Sequence, residues 1–195
     1  VMGLVYNPSA VSKEDVRHWS VLLDEKYRKQ VTMKDSVRDS YLVALTILKE
    51  KKLLSEEFQK AMETTHCLTD ELNDTSEQTV TKVQTILEKM RKNSYSLETD
   101  SGKADMVTGK VVLNMQWSGD GVYTMDEAEK DGLELSYAVP EEGSNLWFDG
   151  FCMMKNGISG DAKKKQAAQA FINYISRRCN PQYVLCRLYF SDCRW

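Results

Sequence analysis

No apolar run in this sequence approaches the roughly 20 residues that a helix needs to cross a bilayer, and no signal segment is readable in it. Positive charge is not concentrated either. The densest basic run, Lys163-Lys164-Lys165, reads as a solvated helix face, and the formal net charge is only −3, so nucleic acid is not an expected partner. The five cysteines lack the close pairing of zinc sites, typified by C-x₂-C. Cys67 and Cys152 stand alone, and Cys179, Cys186 and Cys193 recur every seven residues. Their odd number argues against a disulfide framework. His66-Cys67 has no second ligand pair, so no metal site is expected. There is no Gly-rich phosphate loop and no nucleophile–base pair, hence no enzyme and no cofactor are expected. Internal repeats and low-complexity tracts are missing as well.

What remains is a chain of 195 residues, 42% hydrophobic and 28% charged, able to bury a core as one large domain or a domain and a half. It opens at Val1-Met2-Gly3-Leu4-Val5-Tyr6 with no start methionine, and is expected to be a piece of something larger. Val1–Tyr6 predicts a buried strand ended by the turn Asn7-Pro8-Ser9. Ser12-Lys13-Glu14-Asp15 predicts a capped helix through Trp19 and Leu22. A strand is expected at Gln30–Met33, then a helix capped by Asp35-Ser36 with Val37, Tyr41, Ala44, Leu45 and Leu48 on one stripe. Helices follow at about Ser55–Thr65 and Thr75–Asn93, the latter striped by Val80, Val83, Ile86, Leu87 and Met90. Beyond the break at Asp100-Ser101-Gly102 come a helix at Ala104–Lys110 and a strand at Val111–Gln116. Trp117-Ser118-Gly119-Asp120-Gly121 is then a turn, and Val122–Lys130 a helix with Gly132 at its C′ position. Strands at Leu133–Val139 and Leu146–Met154 and a helix at Ala162–Ser176 complete the pattern. Alternating strands and helices predict an α/β fold, with a mainly parallel sheet and flanking helices.

Ligands of open α/β sheets sit beyond the carboxyl ends of the strands. Three groups of residues fall there: Asp35, Ser36 and Asp39; Trp117 and Asp120; and Trp147 and Asp149. In an extended segment Trp147 and Asp149 point the same way, which offers a π-face and a carboxylate to an organic cation. Read alone, the same pair is a core Trp beside a turn or capping Asp. Asp120 reads as a turn residue and Tyr123 as core. The candidates make a site that binds rather than one that reacts.

Five segments occur in an order that carries a resemblance. They are Gly3-Leu4-Val5-Tyr6-Asn7; Trp19…Leu22…Asp24-Glu25-Lys26-Tyr27; Met33-Lys34-Asp35-Ser36-Val37-Arg38-Asp39; Gly109-Lys110-Val111…Trp117-Ser118-Gly119; and Trp147-Phe148-Asp149. Over residues 1–176 the chain resembles the spermidine/putrescine-binding proteins of bacterial ABC importers. The resemblance implies one lobe plus part of the other of a two-lobe, periplasmic-binding-protein-like fold. Residues 1–147 would be the second lobe and 148–176 a return segment resembling part of the first. By matched position, Trp117 and Trp147 would flank a polyamine chain, Asp149 would take one amine and Asp39 the other end. Ser36 aligns where some members have a further acid, with Asp35 next door as a substitute. Leu23 stands where Trp is common. The implied partners are a polyamine and a membrane permease, and the implied location is the periplasm or the outer face of the membrane, as a lipoprotein or a permease fusion. The missing opposite wall would leave half a cleft, with weak or no binding and exposed surfaces that could pair two copies. A sugar or a metal ion remains open as the solute. From near Ser176 the resemblance stops. Codons chosen for Arg177–Trp195 and read out of frame give a segment resembling the family's own tail, so 177–195 is expected to be a frameshifted tail.

Overall fold

The computed structural model describes residues 1–147 and 150–176. They fall in two compact units, Val1–Leu146 and a second beginning at Trp147.

The first unit is built on a five-stranded sheet of β1 (Met2–Tyr6), β2 (Val31–Lys34), β3 (Ser96–Glu98), β4 (Leu113–Trp117) and β5 (Ser136–Ala138), in the order β3-β2-β4-β1-β5. Strand β2 pairs in parallel with β3 and β4, whereas β1 pairs antiparallel with β4 and β5. Four strands thus run one way and β1 alone runs the other, which is the mainly parallel sheet expected. The reason lies in the connections: helical crossovers join β2 to β3, β3 to β4 and β4 to β5, and a crossover returns the chain to the same edge in parallel.

The unit has six helices: α1 (Val37–Leu53), α2 (Glu56–Met62), α3 (Cys67–Leu72), α4 (Glu77–Asn93), α5 (Gly102–Val107) and α6 (Ser118–Lys130). In β1 the side chains alternate between faces. Met2, Leu4 and Tyr6 join the larger core, with Val31, Met33, Leu45, Val83 and Met90. Val5 joins a smaller core with Met106, Val111, Ala128 and Leu135. Both faces of the sheet are therefore covered, and all five residues of β1 are buried but for traces. Gly3 is needed there, because a Cβ would lie 2.5 Å from the Tyr137 ring and 2.6 Å from the Ala138 carbonyl. The Tyr137 hydroxyl, seated in that gap, donates to the carbonyls of Val1 and Gln116.

Local chemistry sets the element ends. Ser36 caps α1 through Asp39 N, and Ser55 caps α2 through Phe58 N. Gly109 and Gly132, with φ of +70° and +73°, close α5 and α6 in the left-handed conformation.

Several expectations change. The helix expected at Ser12–Leu22 is instead a chain of short 3₁₀ turns, Asp15–Arg17, Trp19–Leu23 and Glu25–Tyr27. Trp19 is buried there and donates from its indole to the Gly143 carbonyl at 2.9 Å, so packing dictates this segment more than helical period does. Val37 opens α1 but is 90% exposed, while Asp39 in the same turn is buried and the buried apolar residues begin at Val43. The Trp117–Gly121 turn is instead the start of α6, with Trp117 as the extended residue before it. Tyr123 is exposed on α6, not core, with the Lys103 ammonium over its ring. Strand β3 and helix α3 were not expected; they span three and six residues, too short for a periodic signal.

The second unit has α7 (Lys155–Ile158) and α8 (Ala162–Ile175), with Asp161 capping α8 through Lys164 N. The described residues of the expected Leu146–Met154 strand form no strand. Phe151 and Phe171 meet edge to face, with centroids 6.5 Å apart. No described residue of this unit is buried.

Candidate functional site

The sheet places one chemical edge beside the carboxyl ends of its parallel strands. Strand β2 ends at Lys34, β3 at Glu98 and β4 at Trp117. Met2, at the start of antiparallel β1, stands in register with Trp117. Helices α1 and α6 begin just beyond β2 and β4, so their first turns also reach this edge.

Asp39 and Trp117 meet there. The Trp117 indole donates to Asp39 Oδ2 at 3.0 Å, and the Asn145 amide donates to Asp39 Oδ1 at 3.1 Å. Asp39 itself is 0% exposed. Its charge lies in the first turn of α1, where the helix dipole favours an anion, and Arg38 approaches Oδ1 at 3.8 Å with a largely exposed side chain. Asn145 is held in turn by its neighbours, since its side-chain oxygen accepts from Met2 N and the Ser144 hydroxyl donates to the Met2 carbonyl. Asp39 is thus a fixed carboxylate with both oxygens engaged by the chain itself. Ser36 has its hydroxyl directed to Asp39 N at 3.4 Å, and Asp35 is exposed at the end of β2.

Trp147 opens the second unit and is half-buried. Asp149 and Phe148 lie outside the described residues, as do Cys179, Cys186 and Cys193 and the whole of 177–195.

The sequence reading missed Lys34. Its ammonium lies 4.5 Å from the centroid of the Trp117 ring. It also lies 3.6 Å from Asp120 Oδ2 and 3.9 Å from Glu98 Oε1, and it donates to the Thr99 carbonyl. Lys103 bonds the other Asp120 oxygen at 3.2 Å. Asp120 therefore sits in the first turn of α6 as part of a charge network, rather than in a turn. One face of Trp117 is taken by the chain's own cation. A signal existed: the alternation Val31-Thr32-Met33-Lys34 sends Thr32 and Lys34 to the face opposite Val31 and Met33. Its partners, 64 and 86 positions further on, were not readable.

The same face carries other buried polar groups. Thr32, Asn114 and Gln116 are fully buried, and Gln116 accepts from the Thr124 hydroxyl at 3.0 Å. Glu98 holds the start of α5 by accepting from Gly102 N at 2.9 Å. These groups share their face of the sheet with Val5 and the smaller core.

A lobe with these features defines a class. The family model for bacterial extracellular solute-binding proteins matches residues 1–182, and the chain belongs to that family. Among relatives, the chain is 31% identical over 94 residues to the putrescine-binding periplasmic protein PotF of Escherichia coli, covering 47% of this chain and 24% of PotF. It is 26% identical over 98 residues to the putrescine/agmatine-binding protein of Pseudomonas aeruginosa, covering 49% and 25%. In structure it is similar to the spermidine/putrescine ABC transporter substrate-binding protein PotD of Streptococcus pneumoniae, with TM-score 0.65, 26% identity, and 89% of this chain and 45% of that chain covered. A putative spermidine/putrescine ABC transporter protein of Listeria monocytogenes gives TM-score 0.63 at 25% identity, with the same coverage. The matches thus span about a quarter of the curated relatives and under half of the solved chains. No helix among the described residues is long and apolar enough to cross a membrane.

Proposed function

We propose that this chain is the second lobe of a binding protein that captures a polyamine such as spermidine or putrescine and delivers it to an ABC permease at the periplasmic or outer face of the membrane. Residues 1–147 form the lobe and 148–176 a return segment into the partner lobe. The observation that carries the proposal is the Asp39–Trp117 bond at the carboxyl edge of the sheet, which presents an aromatic face backed by fixed negative charge. The names of the relatives point to the same ligand class.

In this reading Trp117 and Trp147 flank the aliphatic chain and Asp149 takes an amine. Asp39 orients Trp117 and adds its charge to the edge; an amine that reaches it must displace Asn145. Ser36 and Asp35 tune the same end, Ser36 by capping α1 and Asp35 as an exposed carboxylate. Lys34 repels a ligand ammonium from its own face of Trp117 and so confines the cation to the other.

Calorimetric titration of spermidine into a two-lobe protein carrying this chain tests the proposal. Trp117→Ala and Asp149→Asn are each expected to weaken binding by at least about tenfold, the scale of a lost cation–π or charge-assisted contact. Affinity equal to wild type in both variants would overturn it. The isolated chain is expected to bind weakly or not at all.

A second reading, self-association, is favoured by the apolar surface of the second unit, where Phe151 and Phe171 are 62% and 59% exposed and Tyr174 is also open. Patches of this kind commonly mark contact sites. Light scattering on the isolated chain separates a dimer from a monomer.

A further inference from the structure

We infer that His18, Glu50 and Glu142 form a binding site for one divalent metal ion of the zinc class, away from the polyamine edge. The three residues are distant in sequence and converge in the first unit. His18 lies between the first two 3₁₀ turns, Glu50 in the last turns of α1, and Glu142 in the turn after β5. One donor atom from each lies within 4.8 Å of the others. The turn is fixed independently of any ion: Glu141 N donates to the Arg17 carbonyl at 2.8 Å, and Gly143 accepts from the Trp19 indole.

Glu142 supplies the decisive observation. Its side chain is fully buried. One oxygen, Oε1, accepts from Trp19 N at 3.2 Å, but the other, Oε2, is buried with no hydrogen-bond partner. A buried carboxylate normally has its oxygens satisfied. A cation between the two glutamates and His18 offsets their like charge, and gives Oε2 the partner it lacks when Glu142 binds through both oxygens.

The donor geometry agrees. His18 Nδ1 and Glu142 Oε1 are in hydrogen-bond contact at 3.3 Å, a spacing that two ligands of one ion also take. Two donors at zinc-ligand distances of about 2.0–2.1 Å around a tetrahedral ion lie about 3.4 Å from each other. Glu50 is only partly buried, and its carboxylate lies within 4.8 Å of the other two donors. One imidazole nitrogen and two carboxylates suit zinc, cobalt(II) or nickel(II). Calcium and magnesium call for a shell of six or more oxygens. Three protein donors leave a fourth position for water, so the ion is exchangeable. Glu142 stands three residues before Asn145, the residue that holds Asp39, so the ion would clamp the turn leading out of the first unit.

The test is a zinc titration of the whole chain against a chromophoric chelator, with cobalt(II) absorption read in parallel. Wild type is expected to bind one equivalent that His18→Ala and Glu50→Gln each weaken by at least about tenfold, the lower end of what ligand-shell changes cost. Glu142→Gln keeps an oxygen for Trp19 N; it is expected to retain the native circular dichroism and to lose the same equivalent. The cobalt spectrum is expected to lack thiolate charge-transfer bands, which excludes Cys67 and Cys152 as the ligands. Zinc affinity and stoichiometry unchanged in His18→Ala and Glu50→Gln, or a thiolate band on the tightest equivalent, would overturn the assignment.

Discussion

The first unit closes two cores around a five-stranded sheet, while the second, over its described residues, buries nothing. The first was readable as α/β in pattern, whereas the strand expected at the start of the second does not form among its described residues; even so, α8 is as well capped as α1: Asp161 and Ser36 each accept from the backbone N–H three residues on. Yet α1 buries Val43, Ala44 and Leu45, whereas α8 has no buried residue and leaves Phe171 and Tyr174 open. Capping and propensity make a helix; only a partner surface makes a core. The difference explains why the buried charges lie in the first unit. A fixed carboxylate such as Asp39, or a buried ammonium such as Lys34, needs surrounding packing to hold it.

The largest test of that contrast is Lys34→Met. The Lys34 and Glu98 side chains are 1% and 2% exposed, and removing one partner of a buried charge pair leaves the other uncompensated, a cost of about 3–5 kcal/mol. Urea unfolding is expected to show a loss of that size in the first unit. Asp15→Asn comes next. The Tyr27 hydroxyl, with Ser12 and Lys26, holds the Asp15 carboxyl below its ordinary value of 3.8. A lowered folded-state pKa means that the contribution is present above the unfolded value and is lost as pH falls through the folded one. Asp15→Asn is therefore expected to cost about 1 kcal/mol at pH 7, with the gap to wild type closing as the pH drops below about 4. The smallest effect is expected from Phe171→Ala, within about 0.5 kcal/mol, because its ring is already exposed; a large loss would show that α8 packs as α1 does.

Legibility followed sequence range. Helix α1 was readable because Ser36 is a cap and the residues after it keep the helical period. Gly132 ended α6 as expected because the left-handed C′ position favours glycine. Trp117 was named because it follows a short apolar strand. The residues that bond to it were only half seen: Asp39 was named, but the hydrogen bonds from Trp117 and Asn145 depend on β1, β4 and the turn after β5 coming together. Lys34 and the His18–Glu50–Glu142 group were missed for the same reason, since each rests on contacts spanning 30 residues or more. Trp19 misled in the opposite way: its local pattern suits a helix, but its indole is drawn to Gly143, and the segment tightens into 3₁₀ turns.

Native-state hydrogen exchange on the intact chain tests the central contrast most directly. Amides of β1, β4 and α1 are expected to exchange only through the slowest, global opening, with Val43–Leu45 among the most protected, while those of Ala162–Ile175 exchange orders of magnitude faster through local opening. Protection across Ala162–Ile175 equal to that of β1 would contradict the account, because it would require a partner surface that the described residues do not supply.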